Sequence, residues 1–126
     1  MTVGDVEGPA TELVLTCRTP TTGNVAVAEA DAVALAGPCE VRAASGQGAP
    51  VFGQVWATTT LPGAAVPVRV RGLCVFTYTG PAPTVGGNVG IEMAAEPGKV
   101  QAAATGPGTG TIVSVDPTLT RVEVLL

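Results

Sequence analysis

Histidine is absent from this chain, aromatic residues make up only 3% of it, and charged residues only 13%. Each shortage removes something. Without histidine there is no ready base near neutral pH and no imidazole ligand for a metal. With one Trp, one Tyr and two Phe in 126 residues, the 46% of hydrophobic residues is mostly Val, Ala and Leu, so the core is aliphatic. A charged share about half the usual one leaves few ions to cover the surface of a free monomer, and predicts that other chains cover part of it. Cysteine is sparse and odd in number: Cys17, Cys39 and Cys74 form no Cys-x-x-Cys pair. They read as three small buried thiols in strands, with one disulfide plus a spare thiol as the alternative.

Ten acids against six bases give a net charge of −4, and Arg18, Arg42, Arg69, Arg71, Lys99 and Arg121 are scattered along the chain. Nucleic-acid binding needs a basic stripe, so none is expected. No apolar run reaches the roughly 20 residues that cross a bilayer. Met1 to Glu7 has neither the basic start nor the apolar stretch of a signal peptide, which predicts synthesis in the cytosol.

What the sequence does have is Val-rich alternation cut by Gly and Pro. Short alternating runs with turn residues between them predict an all-β fold, a compact sandwich or barrel of short antiparallel strands. Residues 1–11 hold Gly4, Gly8 and Pro9 with Asp5 and Glu7, and read as an extended N-terminal arm ahead of a single β domain over 12–126. Strands are predicted at 12–17, with Leu13 and Leu15 on one face, and at 39–43 and 51–58, where Gly53 suggests a bulge. Val25 to Ala36 reads as two short strands around Glu29-Ala30-Asp31, with one helix as the alternative. From Val66 to Tyr78 the even-numbered residues fall on one face. Thirteen residues is long for a strand, so a bend or bulge is expected at Gly72. Thr111–Val115 and Leu119–Leu126 read as an antiparallel pair joined at Asp116-Pro117-Thr118.

Candidate chemistry is thin, and no catalytic, cofactor-binding or metal-binding residue is assigned. Asp116 before Pro117 reads as a turn residue, and Glu92 and Glu96 have no evident reason to share a site. Ser45 and Ser114 lie outside any Gly-x-Ser-x-Gly and lack a base. Gly106-x-Gly108-x-Gly110 is followed by Thr-Ile-Val-Ser-Val, a strand, whereas a phosphate loop opens a helix, so a hairpin turn is expected. Arg69 and Arg71 alternate on one face of the long run, suited to a partner carboxylate or to salt bridges with Glu neighbours. Trp56 reads as a core residue packed by Phe52 and Phe76, or as an interface anchor. The candidate partner-contacting residues are therefore Val3, Asp5 and Val6 in the arm, with Trp56, Arg69 and Arg71.

The order of features from 51 to 126 is familiar. Val51–Ala57 is followed by Pro62–Val70, then by Gly72-Leu73-Cys74-Val75-Phe76. Val85-Gly86-Gly87-Asn88-Val89-Gly90 leads into Pro97-Gly98-Lys99-Val100, and Gly110–Asp116 precedes Val122–Leu126. This resembles the small β-rich head-decoration, or capsid cement, proteins of tailed bacteriophages. The resemblance implies a non-enzymatic virion protein, made in the host cytoplasm, that forms trimers or other homo-oligomers on the outer capsid surface. It further implies binding to the major capsid protein, bridging neighbouring subunits. The competing expectation is a free-standing β-sandwich binding module, carbohydrate-binding or adhesin-like, with Trp56 and Tyr78 as its first suspects.

Overall fold

A computed structural model describes residues 12–87 and 89–126. Among them are ten strands and no helix, so the chain is all-β. The expected arm, with Val3, Asp5 and Val6, lies outside the described residues. The strands are β1 (Leu13–Arg18), β2 (Ala32–Gly37), β3 (Glu40–Arg42), β4 (Gly53–Val55), β5 (Ala65–Arg71), β6 (Leu73–Thr77), β7 (Ile91–Met93), β8 (Val100–Ala102), β9 (Thr111–Asp116) and β10 (Arg121–Leu125).

Five of them close a barrel in the order β1-β3-β2-β4-β5, with β5 returning to β1. Its interior is filled by Cys17, Val27, Val33, Val41, Ala43, Val55, Val66 and Val68. An eight-stranded barrel already leaves only enough room for its own side chains. Five strands leave less, and small or β-branched residues are what fits. The scarcity of aromatic residues thus follows from the barrel's bore. One seam departs from the expected antiparallel pattern: β1 meets β3 in parallel, at Arg18 opposite Glu40.

A second core lies outside the barrel. The sheet β6-β10-β9 and the hairpin β7-β8 bury Cys74, Phe76, Tyr78, Ile91, Met93, Val100, Ile112, Val122 and Val124 against Ala32, Ala34 and Val51. Strand β2 therefore serves both cores. Val33 points into the barrel while Ala32 and Ala34 face out toward Phe76 and its neighbours. Alternation of side chains across a strand makes this possible, and alanine on the outer face lets the second layer approach closely. The layers are also tied through the backbone, by Ala32 N–H to the Gly98 carbonyl at 2.9 Å and Met93 N–H to the Ala49 carbonyl at 2.9 Å.

The long alternating run divides where expected. Gly72 has φ +119°, a conformation side chains rarely adopt, and there β5 ends and β6 begins in another sheet. Val66 and Val68 fill the barrel, whereas Cys74, Phe76 and Tyr78 fill the second core. The C-terminal pair forms as expected, with Arg121 opposite Asp116 and Leu125 opposite Thr111.

Other expectations are corrected. Only β2 forms in the 25–36 stretch, Val27 making an isolated bridge to Thr59. The first strand forms as β1, though Leu13 and Leu15 are exposed rather than buried there. Cys17 and Cys74 are buried, but Cys39 is exposed, in the turn before β3 rather than in a strand. The glycines at 106–110 form a loop from β8 to β9, anchored by a bridge between Thr109 and Ile91, and not a hairpin turn.

Gly53 makes no bulge, since Gln54 and Val55 pair regularly with Arg69 and Val68. Its role is closeness. A Cβ there would stand 2.7 Å from Val68 Cγ1 and nearer still to the Arg69 carbonyl oxygen. Backbone cannot yield cheaply, so Gly53→Ala is expected to cost about 1–3 kcal/mol in urea denaturation, as overpacking does. Gly106→Ala, where the added carbon meets nothing within 4 Å, is expected to change stability by less than about 0.5 kcal/mol.

Candidate docking surface

The outer face of the barrel meets the open side of β6 in a cleft of about 450 Å³, lined by Gln54, Arg69, Leu73, Val75, Thr77 and Arg121 among others. Two of the three sequence candidates that the structure describes fall together beside it. The Arg69 guanidinium lies over the Trp56 ring, 4.2 Å from its centroid. Arg69 Nη1 donates to the Leu73 carbonyl at 2.8 Å, and Nη2 pairs with Glu12 Oε2 at 3.0 Å. Arg69 Nε is buried and has no hydrogen-bond partner among the described residues. Trp56 is thus a surface residue at 38% exposure, outside both aliphatic cores. The Arg69–Glu12 pair is the salt bridge to a Glu neighbour that was one of the two readings of Arg69.

Gln54 completes this seam. Its buried side chain reaches across from the barrel, Nε2 donating to the Val75 carbonyl at 2.6 Å and to the Ala30 carbonyl at 3.4 Å. Burial pushes the Cys74 thiol up from its ordinary pKa, opposed by the charge and hydrogen bond of Arg69. No signal in the sequence singled out Gln54 or Glu12. Both act through pairings between strands distant along the chain: Gln54 and Val14 are each opposite Arg69.

Arg71 lies elsewhere. It is exposed at the mouth of a second groove of about 450 Å³ with Leu13, Val51, Phe52, Val70, Thr109 and Leu126. A smaller hollow of about 220 Å³, lined by Ala34, Leu35, Ala49 and Pro50, shares Val51 and Phe52 with it. The result is a mostly apolar trough beside β1. On β1 itself Leu13, Val14 and Leu15 are 43%, 37% and 38% exposed, so three successive apolar residues are accessible on both faces of one strand. This is the largest run of neighbouring exposed aliphatic side chains among the described residues.

The remaining polar groups have local structural tasks. Asp116 caps its own turn, accepting from Thr118 N at 3.0 Å and Leu119 N at 3.3 Å. Glu92 is buried and accepts from Gln101 Nε2 at 2.8 Å and Ala104 N at 3.2 Å, while Glu96 pairs with Lys99 at 2.8 Å. Ser114 Oγ donates to Glu123 at 3.0 Å. Among the described residues no three His, Cys, Asp or Glu side chains gather into a metal-binding group. What the surface offers is therefore apolar contact and an arginine-aromatic pair.

Compared with models of known protein families and with curated proteins, the chain finds no match.

Gln54→Ala would leave the Val75 and Ala30 carbonyls unsatisfied at a partly buried seam. It is expected to cost about 1–3 kcal/mol in chemical denaturation, the range for an orphaned buried polar group. Trp56→Ala, at an exposed position, is expected to cost less than Phe76→Ala, which empties a core position worth about 3–5 kcal/mol.

Proposed function

We propose that this chain is a virion structural protein that binds the outside of a phage capsid and stabilises it by bridging neighbouring major capsid subunits. The observation that carries the reading is β1, whose Leu13, Val14 and Leu15 stand exposed beside the apolar trough around Phe52. Contiguous apolar surface of this kind marks interaction sites in soluble proteins. The low share of charge, the resemblance of residues 51–126 to capsid cement proteins and the all-β fold support the same role. The major capsid protein is the partner, and the chain self-associates, with a homotrimer favoured.

The mechanism is mechanical. A decoration protein forms no covalent bond. Each copy buries a modest area across a subunit seam, and copies that each hold two subunits make separation require several simultaneous releases. A rigid barrel suits this, because ordering cost at docking falls when the contacting strands are already held in place. Residues 1–11, with their Gly, Pro and acidic residues, supply a further contact by pairing along a neighbour's strand edge, where main-chain hydrogen bonds give affinity.

Mixing the purified chain with undecorated phage heads and imaging them is expected to show added density on the outer surface. A chain that stays monomeric, leaves the heads bare and binds glycans instead is the outcome that establishes the free-standing module. Burying a Leu is worth about 1.5–3 kcal/mol, and about 1.4 kcal/mol is tenfold in affinity. The double variant Leu13→Ser with Leu15→Ser is therefore expected to lower capsid occupancy at least about tenfold while leaving the thermal midpoint nearly unchanged. Deleting residues 1–11 is expected to reduce occupancy, and unchanged occupancy refutes the role given to the arm.

A further inference from the structure

The barrel has one weak seam. β1 and β5 share six opposed pairs, whereas β1 meets β3 only at Arg18 opposite Glu40. That single opposed pair is held by a short parallel ladder, Arg18 N–H to the Cys39 carbonyl at 2.9 Å among its bonds, and by one ion pair, Arg18 to Glu40 at 3.3 Å. Arg18 is 57% exposed in this pair, and solvent-exposed pairs contribute little. No further opposed pair joins β1 to β3 among the described strands.

Immediately before each member of this pair stands a cysteine. Cys17 precedes Arg18 and Cys39 precedes Glu40, so the parallel register carries the two cysteines toward each other across the seam. The Cys39 carbonyl accepts from Arg18 N–H at 2.9 Å, so the turn that carries Cys39 lies directly against the backbone next to Cys17, the kind of closeness a disulfide's Cα separation of about 4.4–6.8 Å requires. The Cys17 thiol is pushed up from its ordinary pKa first by burial and then by the charge of Cys39. Access is divided between them, since Cys17 is buried at 3% and Cys39 is exposed. Cys74 belongs to the other core and has no place in this seam.

We propose that Cys17 and Cys39 join in a disulfide under oxidising conditions and that this bond staples β1 to β3. With oxidised glutathione as oxidant, the accessible Cys39 thiolate attacks one glutathione sulfur, forming a mixed disulfide and expelling one glutathione thiolate. Cys17, its proton passed to solvent, then attacks the Cys39 sulfur and expels the second glutathione. Two protein thiols are oxidised and one glutathione disulfide is reduced to two thiols. A reducing compartment keeps the pair open and an oxidising one closes it. The bond encloses the segment from β1 through β2, and its effect on stability comes from restricting the unfolded chain. The inference stands independently of the role proposed above.

The test incubates the full chain with oxidised glutathione, quenches by alkylation, and counts thiols after unfolding. The expected result is a fall from the three free thiols to one, a Cys17–Cys39 cross-linked peptide by mass spectrometry, and a thermal midpoint raised by roughly 10 °C. Cys39→Ser, at an exposed position, is expected to fold normally and to show neither the link nor the rise. Three surviving thiols, a stable glutathione adduct on Cys39, an intermolecular Cys39 link, or a link that leaves the midpoint where it was would each overturn the proposal.

Discussion

Everything in this fold depends on β2 being shared. A strand with Val33 on one side and Ala32 and Ala34 on the other is the common wall of two aliphatic cores, each too small to stand well alone. Small single cores leave little surplus over conformational entropy. Joining them through one strand lets each layer shield the other, and the alanines keep the wall thin. The main-chain bonds from Ala32 to Gly98 and from Met93 to Ala49 serve the same closeness between layers, while Gly53 serves it inside the barrel, where β4 and β5 nearly touch.

The surface follows from that interior. With Val and Ala filling the barrel, the single Trp has no interior place and lies under the Arg69 guanidinium instead. Arg69 is held on three sides, by Trp56, Glu12 and the Leu73 carbonyl, and so acts as a fixed strut between barrel and sheet. Arg71, two residues on, is free of these partners and borders the apolar trough. The two arginines that the alternation placed on one face thus have different tasks, one internal to the fold and one facing outward.

Much of the architecture was legible in the residues. The break at Gly72, the final antiparallel pair and the all-β character follow from alternation and turn chemistry, which act over a few residues. The hairpin β7-β8 was not read, although Pro97-Gly98 between Ile91–Met93 and Val100–Ala102 carried its signal; three-residue strands offer too little alternation to stand out. Which core each half of the long run enters could not be read, because parity is the same on both sides of Gly72. The exposure of Leu13 and Leu15 and the seam made by Gln54 also escaped, since both are set by strands that pair far apart along the chain.

The seam at β6 has one more consequence. Val75 and Leu73 present outward carbonyls that would otherwise be vacant acceptors along a sheet margin, and the amide of Gln54 and the guanidinium of Arg69 occupy them. An unoccupied margin of this kind is a template on which another chain can grow a continuous ribbon. Here the molecule answers its own acceptors, so this margin is closed to a neighbour's strand.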